Sequence, residues 1–307
     1  LSPALSRIRS LIGIQEIGLI LVVLLLGAVL TAFGGRVRMV EFRPNAAGER
    51  ERVIVEKNKF LNARNLTQLA KDTSFIAIMA VGATFVIIAG GIDLSVGATY
   101  ALASVLSALV FSKGENQVLT GVLVCLGAAT LCGLLNGGMI VLLKVHPFII
   151  TLGTMAIYRG IAFVVTQGQS VGGFPEAFRN FVRQETSDGL SLVPLIVMVW
   201  VAISGGIYLS RLAAGRRVYA VGGNELASRF SGIHVDRVKL SVFVISGLTA
   251  GIAALLALGY YGSASSGDGQ GYELNVIAAA VVGGASLSGG KGSALGALLG
   301  ALIIQMI

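Results

Sequence analysis

Residues 73–112 read TSFIAIMAVGATFVIIAGGIDLSVGATYALASVLSALVFS, forty residues holding one charged side chain, Asp93. A bilayer-spanning helix takes about 20 apolar residues, so this stretch is two spans joined at Gly90-Gly91-Ile92-Asp93. The pattern repeats outward. Charge-free runs cover 17–35, 117–143, 191–210 and 240–267, a run at 145–175 is interrupted only by Arg159, and shorter runs cover 274–290 and 292–307. Counting 145–166 once gives nine spans. Only 12% of the 307 residues are charged, against about 25% in an ordinary soluble domain. A soluble core of this size needs a charged shell that the chain lacks. That excludes a soluble enzyme, a nucleic-acid-binding domain and a secreted disulfide scaffold. The expected fold is an all-α polytopic membrane protein, one transmembrane domain over 1–307.

The net charge of +8 belongs to topology rather than to nucleic acid. With the N-terminus inside, behind Arg7 and Arg9, alternation places 168–190 outside and 211–239 inside. The inside segment holds Arg211, Arg216, Arg217, Arg229, Arg237 and Lys239 against Glu225 and Asp236. The outside one holds Arg179 and Arg183 against Glu176, Glu185 and Asp188, as the positive-inside rule requires. Residues 36–72 run against the rule, with nine basic and five acidic residues outside. The first run is read as a retained helix, because Thr31-Ala32-Phe33 is not a small-x-small cleavage site. Residues 36–64 form an extracytoplasmic insertion. Within it Val53-Ile54-Val55 is either a short strand or part of an irregular loop, and Phe60 to Leu69 suits an interfacial helix. Cys125 and Cys132, in one apolar run, read as small core residues.

Three places carry chemistry. In Gly90-Gly91-Ile92-Asp93-Leu94-Ser95-Val96-Gly97 the glycines end one helix and Asp93 is placed to N-cap the next. An ionisable residue between spans is also a functional candidate. Gly283-Gly284-Ala285-Ser286-Leu287-Ser288-Gly289-Gly290 repeats that pattern with Ser286 opposite Asp93. Gly-broken segments in two halves are how a transporter marks its path. Third, Asn224 is a good N-cap and Gly232 a good stop for a two-turn helix on which Leu226, Ala227 and Phe230 share one face. Such a helix lies on lipid or docks in another protein's groove. Helix spacing alone does not choose.

With Pro147 to Met155, Tyr158-Arg159-Gly160 and Ala220 to Ile233 added to Gly90–Gly97, the chain resembles the ribose-type monosaccharide permeases of ATP-binding-cassette (ABC) importers. The likeness runs from about Phe60 to Ile307. Two departures stand out: the charged stretch 36–58 is longer than the resemblance leads one to expect, and a final helix is missing. The resemblance implies a type II importer permease fold of ten helices, a homodimer with its path on the two-fold axis, a cytoplasmic ABC ATPase that holds the ATP and Mg, and an extracytoplasmic sugar-binding protein. It also makes 211–239 the coupling segment, with Gly223, Asn224, Glu225, Ala227, Arg229, Phe230 and Gly232 facing the ATPase.

Path or gate candidates lie near helix breaks: Asp93, Ser95, Asn136, Thr151 and Thr154, with Phe148 as a wall. A sugar needs hydroxyl-bonding groups that hold it weakly enough to release it. Asn136 also suits interhelical packing, and Thr151 and Thr154 suit bonds to their own helix carbonyls. Arg159 is assigned to a structural ion pair with Glu273. His146 is a helix-start residue and Trp200 a packing residue. Catalytic and metal-ligating constellations are absent from the reading, and no Gly-x-x-x-x-Gly-Lys-[Ser/Thr] occurs, so hydrolysis falls to a partner. The expected function is a bacterial inner-membrane, lipid-embedded permease for a ribose-like pentose or hexose. The alternatives are permeases for nucleosides, autoinducer-like sugars or branched-chain amino acids, and, in another class, an ion-coupled secondary transporter.

Overall fold

The computed structural model describes residues 14–44, 50–186 and 189–307; Arg7, Arg9 and Asp188, used in the orientation reading, lie outside the described residues. Nine apolar helices are present among them. Six are long enough to cross a bilayer: α1 (Ile14–Phe33), α2 (Ala63–Ile88), α4 (Val118–Leu143), α5 (Pro147–Thr166), α7 (Leu192–Arg211) and α10 (Val235–Tyr261). Three are shorter: α3 (Val96–Phe111), α11 (Tyr272–Val282) and α12 (Ala294–Met306). Short helices α6 (Glu176–Val182), α8 (Ala213–Gly223) and α9 (Glu225–Phe230) lie in the connections.

Two expectations need correction. The insertion is not an irregular loop, and the strand at Val53-Ile54-Val55 is longer than expected and paired: β1 (Arg36–Pro44) and β2 (Arg50–Asn58) run antiparallel from Arg36 opposite Asn58 to Pro44 opposite Arg50. Val37 and Met39 alternate with Arg36 and Arg38, and half-buried Val53 and Val55 alternate with exposed Arg52, Ile54 and Glu56, the period of two that a strand needs. The all-α fold therefore carries one β-hairpin. The interfacial helix at 60–69 is also absent as a separate element. Asn62 accepts the amide of Asn65 and starts α2, which then runs unbroken to Ile88.

Helix α2 is the centre. It is apolar on all sides, as a helix surrounded by others must be, and 94% of its most apolar stretch is buried. The same stretch of α1 is 6% buried. Helices α7, α10, α11 and α12 surround α2, and α3 and α4 complete the bundle against α10. Trp200, read as a packing residue, is 67% exposed. It faces outward, where lipid serves an indole as well as protein does.

Between lipid-embedded helices, contact comes from close approach at small residues. Helices α4 and α10 meet where Gly133 lies on the carbonyl of Phe243 and Gly247 on the carbonyl of Ala129, with no room for a Cβ at either. Gly138, on α4 as well, has open space beside it. Gly247→Ala is therefore expected to destabilise by about 1–3 kcal/mol, as overpacking does. Gly138→Ala should leave the thermal unfolding midpoint in detergent unchanged or slightly raised. Equal midpoints for the two variants would refute this packing.

Candidate functional site

The join between α2 and α3 is built from its own sequence. The Gly90 amide reaches the Ile87 carbonyl and the Gly91 amide that of Val86. Gly90 has φ +82, a conformation Gly adopts without strain. Asp93 is not the N-cap of α3; Ser95 occupies that position. Asp93 Oδ1 instead accepts both the amide of Ser95 at 3.0 Å and its hydroxyl at 2.7 Å. That closes an Asx turn two residues long rather than a cap that reaches three residues on.

From Asp93 a buried polar chain runs in both directions. Oδ2 accepts the hydroxyl of Ser246, from α10, at 2.8 Å. Ser95 Oγ accepts Nδ2 of Asn136, from α4, at 2.7 Å. The hydroxyl of Tyr158, from α5, lies 3.1 Å from both Asn136 Oδ1 and the Cys132 carbonyl. Thr151 accepts the Leu94 amide at 3.2 Å and lies 3.2 Å from the Ile92 carbonyl. Asp93, Ser95, Asn136 and Thr151, far apart in the sequence, thus come together. Thr154 bonds the Thr151 carbonyl at 3.3 Å in its own helix, and Phe148 is 42% exposed at the start of α5, so neither joins the chain. Ser246 was missed. The available signal was its place among small residues of α10, beside Gly247 and three residues before Thr249, where Gly82 of α2 packs closely.

The assigned ion pair is not formed. Arg159 donates to the carbonyls of Ser266 at 2.7 Å and Asp268 at 3.1 Å. The loop 262–271 folds over the guanidinium before Glu273 can reach it. Glu273 Oε1 accepts the Gly271 amide, and Oε2 is buried without a hydrogen-bond partner.

The second glycine segment also departs from its reading. Gly284 and Ala285 amides bond Val281 and Ala280 carbonyls, with φ +96 at Gly284. This is the turn seen at Gly90 and Gly91, so Gly284 matches Gly90 and Leu287, not Ser286, stands opposite Asp93. The loop packs on the end of α2: the Gly290 amide donates to the Ile88 carbonyl at 2.8 Å, and the Tyr219 hydroxyl of α8 donates to the Gly292 carbonyl at 2.8 Å. Gly222 presses on both Ile88 and Gly290, leaving no room for a Cβ.

Helix α9 begins at Glu225, after the end of α8 at Gly223 and the cap at Asn224. Asn224 Oδ1 accepts the Ala227 amide at 2.9 Å. Gly232, at φ +80, and Ile233 return their amides to the Arg229 and Ser228 carbonyls, a Schellman stop. The charged residues hold the helix in place: Lys239 and Arg229 bond Glu225 at 2.7 and 3.1 Å, and Arg229 bonds Asp236 at 2.8 Å. The Lys239 ammonium, bonded to the Glu225 carboxyl, holds that carboxyl below its usual range. The stabilisation is present above the ordinary glutamate pKa and is lost as the pH falls through the lowered value. It is small, because both Glu225 and Arg229 are largely in water. Leu226 at 64% and Phe230 at 84% exposure point away with Ala227.

Nine apolar helices among the described residues, one of them central, a broken pair tied by a buried carboxyl group, and an exposed apolar helix at one end define a multi-pass membrane transport protein. The family described as the permease component of a branched-chain amino acid transport system matches residues 65–307, and the chain belongs to that family. The chain is 41% identical over 250 residues to the ribose import permease RbsC of Haemophilus influenzae, covering 81% of this chain and 77% of that protein. It is 42% identical over 255 residues to RbsC of Bacillus subtilis, covering 82% and 78%. Identity to the D-allose permease AlsC of Escherichia coli is 39% over 250 residues, covering 81% and 76%. No solved structure matches.

Asp93→Ala strands the Ser95 amide, the Ser95 hydroxyl and the Ser246 hydroxyl, each at about 1–3 kcal/mol if unsatisfied. Asp93→Asn keeps an acceptor for Ser95, and the Ser246 hydroxyl can turn to accept the new amide. Thermal unfolding in detergent should therefore rank wild type, then Asn, then a much weaker Ala variant. An Asn variant as weak as the Ala variant would show that the charge, not the hydrogen bonding, holds the join.

Proposed function

We propose that this chain is the membrane-spanning subunit of an ATP-driven monosaccharide importer of the bacterial cytoplasmic membrane. The likeness of about 40% along four fifths of the chain to permeases named for ribose and D-allose carries the reading. In it the chain works as a homodimer with a cytoplasmic ATPase that binds ATP and Mg, and an extracytoplasmic binding protein delivers the sugar. The N-terminus and the 211–239 segment face the cytoplasm.

The exposed face of α9 seats in the ATPase, and Gly223, Asn224, Glu225, Arg229 and Gly232 shape the helix that presents it. Motion reaches the membrane through α8, whose Gly222 lies against Ile88, five residues before Asp93. Asp93, Ser95, Asn136 and Thr151 act as the fixed joint of the gate, because their polar atoms are already hydrogen-bonded to one another.

Uptake decides the function. Proteoliposomes holding the permease, its ATPase and its binding protein should accumulate ribose or another monosaccharide only with ATP. Uptake without the ATPase would point to an ion-coupled carrier, and uptake of leucine but no sugar would follow the family description instead. Gly223 has open space beside it, so Gly223→Arg should fold normally yet release a tagged ATPase in co-purification and stop uptake; full retention with normal uptake would remove α9 from the coupling role.

Orientation is read with Ser170→Cys and Ser231→Cys, both at exposed positions, against a background of buried Cys125 and Cys132. An impermeant thiol reagent added outside cells should label position 170 and not 231; the reverse would invert the topology.

A further inference from the structure

At the end of α10 away from the basic 211–239 segment, the loop 262–271 borders, with α3 and α11, an open cavity of about 280 Å³. Its polar lining is Tyr100, Ser104, Tyr261, Ser263, Asp268 and Tyr272. Ser104 stands one turn beyond Tyr100 on the same face of α3, and both are nearly inaccessible, at 2% and 4% exposure.

The hydroxyls of Tyr100, Ser104 and Tyr272 have no hydrogen-bond partner among the described residues, yet none of them is sealed inside protein. They open on the cavity. Inside a membrane protein a hydroxyl without a partner costs free energy, and nearby Ser107 shows the usual solution by bonding the Gly121 carbonyl at 2.8 Å. Three unpaired hydroxyls around one space mark a place where a polar molecule supplies the partners.

The rest of the lining says what kind of molecule. The rings of Tyr100 and Tyr272 meet at 5.6 Å between centroids and 56°, forming a corner of two aromatic faces. Asp268 is held in place, its two oxygens accepting the Ser265 amide at 2.9 Å and hydroxyl at 3.1 Å, and each keeps a lone pair for a further donor. Arg159 fixes the loop by its carbonyls. No Lys or Arg side chain is among the lining residues, and the cations close by, Arg159 and Lys71, are engaged by loop carbonyls and by Asp72 and the Tyr260 ring, so an anion or the carboxylate of an amino acid finds no free counter-charge. Aromatic faces for C–H groups, neutral hydroxyls that donate and accept, and one carboxylate acceptor suit a neutral polyol. The volume, just under the roughly 300–1,000 Å³ of drug-sized ligand pockets, suits a small one.

We infer that this cavity is a monosaccharide contact site on the solute's route, with Tyr100, Ser104, Tyr272 and Asp268 as its hydrogen-bonding groups. The inference rests on the importer reading for its choice of ligand. Its place agrees with that reading, since the cavity lies at the opposite end of α10 from the coupling helix, where the binding protein delivers the sugar.

The test uses the complete importer in proteoliposomes with a Ser263→Cys permease, which puts an exposed thiol at the cavity's edge. Free ribose, allose, glucose, leucine and choline are each tried as protectants against a small thiol reagent. A monosaccharide should slow labelling, and leucine and choline should not. Adding Tyr100→Phe or Tyr272→Phe removes a hydroxyl with no protein partner and keeps the ring. Thermal stability should therefore hold or rise while the sugar concentration for half-protection increases about tenfold, the worth of one hydrogen bond.

Protection by no monosaccharide, protection by choline alone, or half-protection unmoved by both Phe variants would overturn the site. Protection without ATP-driven uptake would keep the site and sink the importer reading; uptake without protection would do the opposite.

Discussion

A polypeptide in hydrocarbon has no water to bond, so each backbone group released where a helix breaks must find a partner in the chain itself. The α2–α3 join is where this constraint presses hardest, and the bundle is arranged to meet it. Gly90 and Gly91 turn their amides back onto α2, Asp93 takes the Ser95 amide, and Thr151 takes that of Leu94. The Ile88 carbonyl is served by Gly290 from the far end of the chain. Each of these partners fixes a helix: α5 through Thr151, α10 through Ser246, and the α11–α12 loop through Gly290.

The same bonds explain how a carboxylate is kept at 4% exposure. Asp93 has three donors within 3.0 Å and no cation beside it among the described residues. Each of those bonds satisfies a lone pair that burial would otherwise leave unpaired at about 1–3 kcal/mol. The arrangement is a closed hydrogen-bonded cluster rather than a lining. Its polar atoms face one another, whereas the hydroxyls that face open space lie in α3 and α11, around Tyr100 and Tyr272. Cluster and cavity are separate parts of the bundle, linked through α3, which carries Ser95 at its start and Tyr100 a turn later, and through α10, which carries Ser246 and Tyr261.

Packing follows the same logic. Helices in lipid gain little from hiding apolar surface, and small residues that let backbones approach do the work instead. Gly133 and Gly247 bring α4 onto α10, and Gly222 brings α8 onto the end of α2. The last of these sets the short helices α8 and α9 close to the α2–α3 join. The Leu226, Ala227 and Phe230 face stays outward because Glu225 and Arg229 are tied to α10.

Much of this was legible in the sequence. Charge-free runs placed all nine apolar helices, because hydropathy over about 20 residues is a local property of the chain. Asn224 and Gly232 bounded α9 correctly, because capping is decided within five residues. His146 was rightly placed at a helix start, where its Nδ1 accepts the Phe148 amide. What failed depended on distance. Arg159 chose carbonyls more than a hundred residues away over Glu273, and Asp93 found Ser246 153 positions on. The Gly283–Gly290 repeat was set one residue out of register, since equivalent turns are defined by which carbonyl an amide reaches and not by matching letters. The hydroxyls of Tyr100, Ser104 and Tyr272 left no trace in composition or period. The sequence by itself determined where the apolar helices lie to within a few residues, because hydropathy is settled by neighbours along the chain. Only the tertiary structure decided which polar atoms are paired and which are left open, because each partner arrives on a different helix.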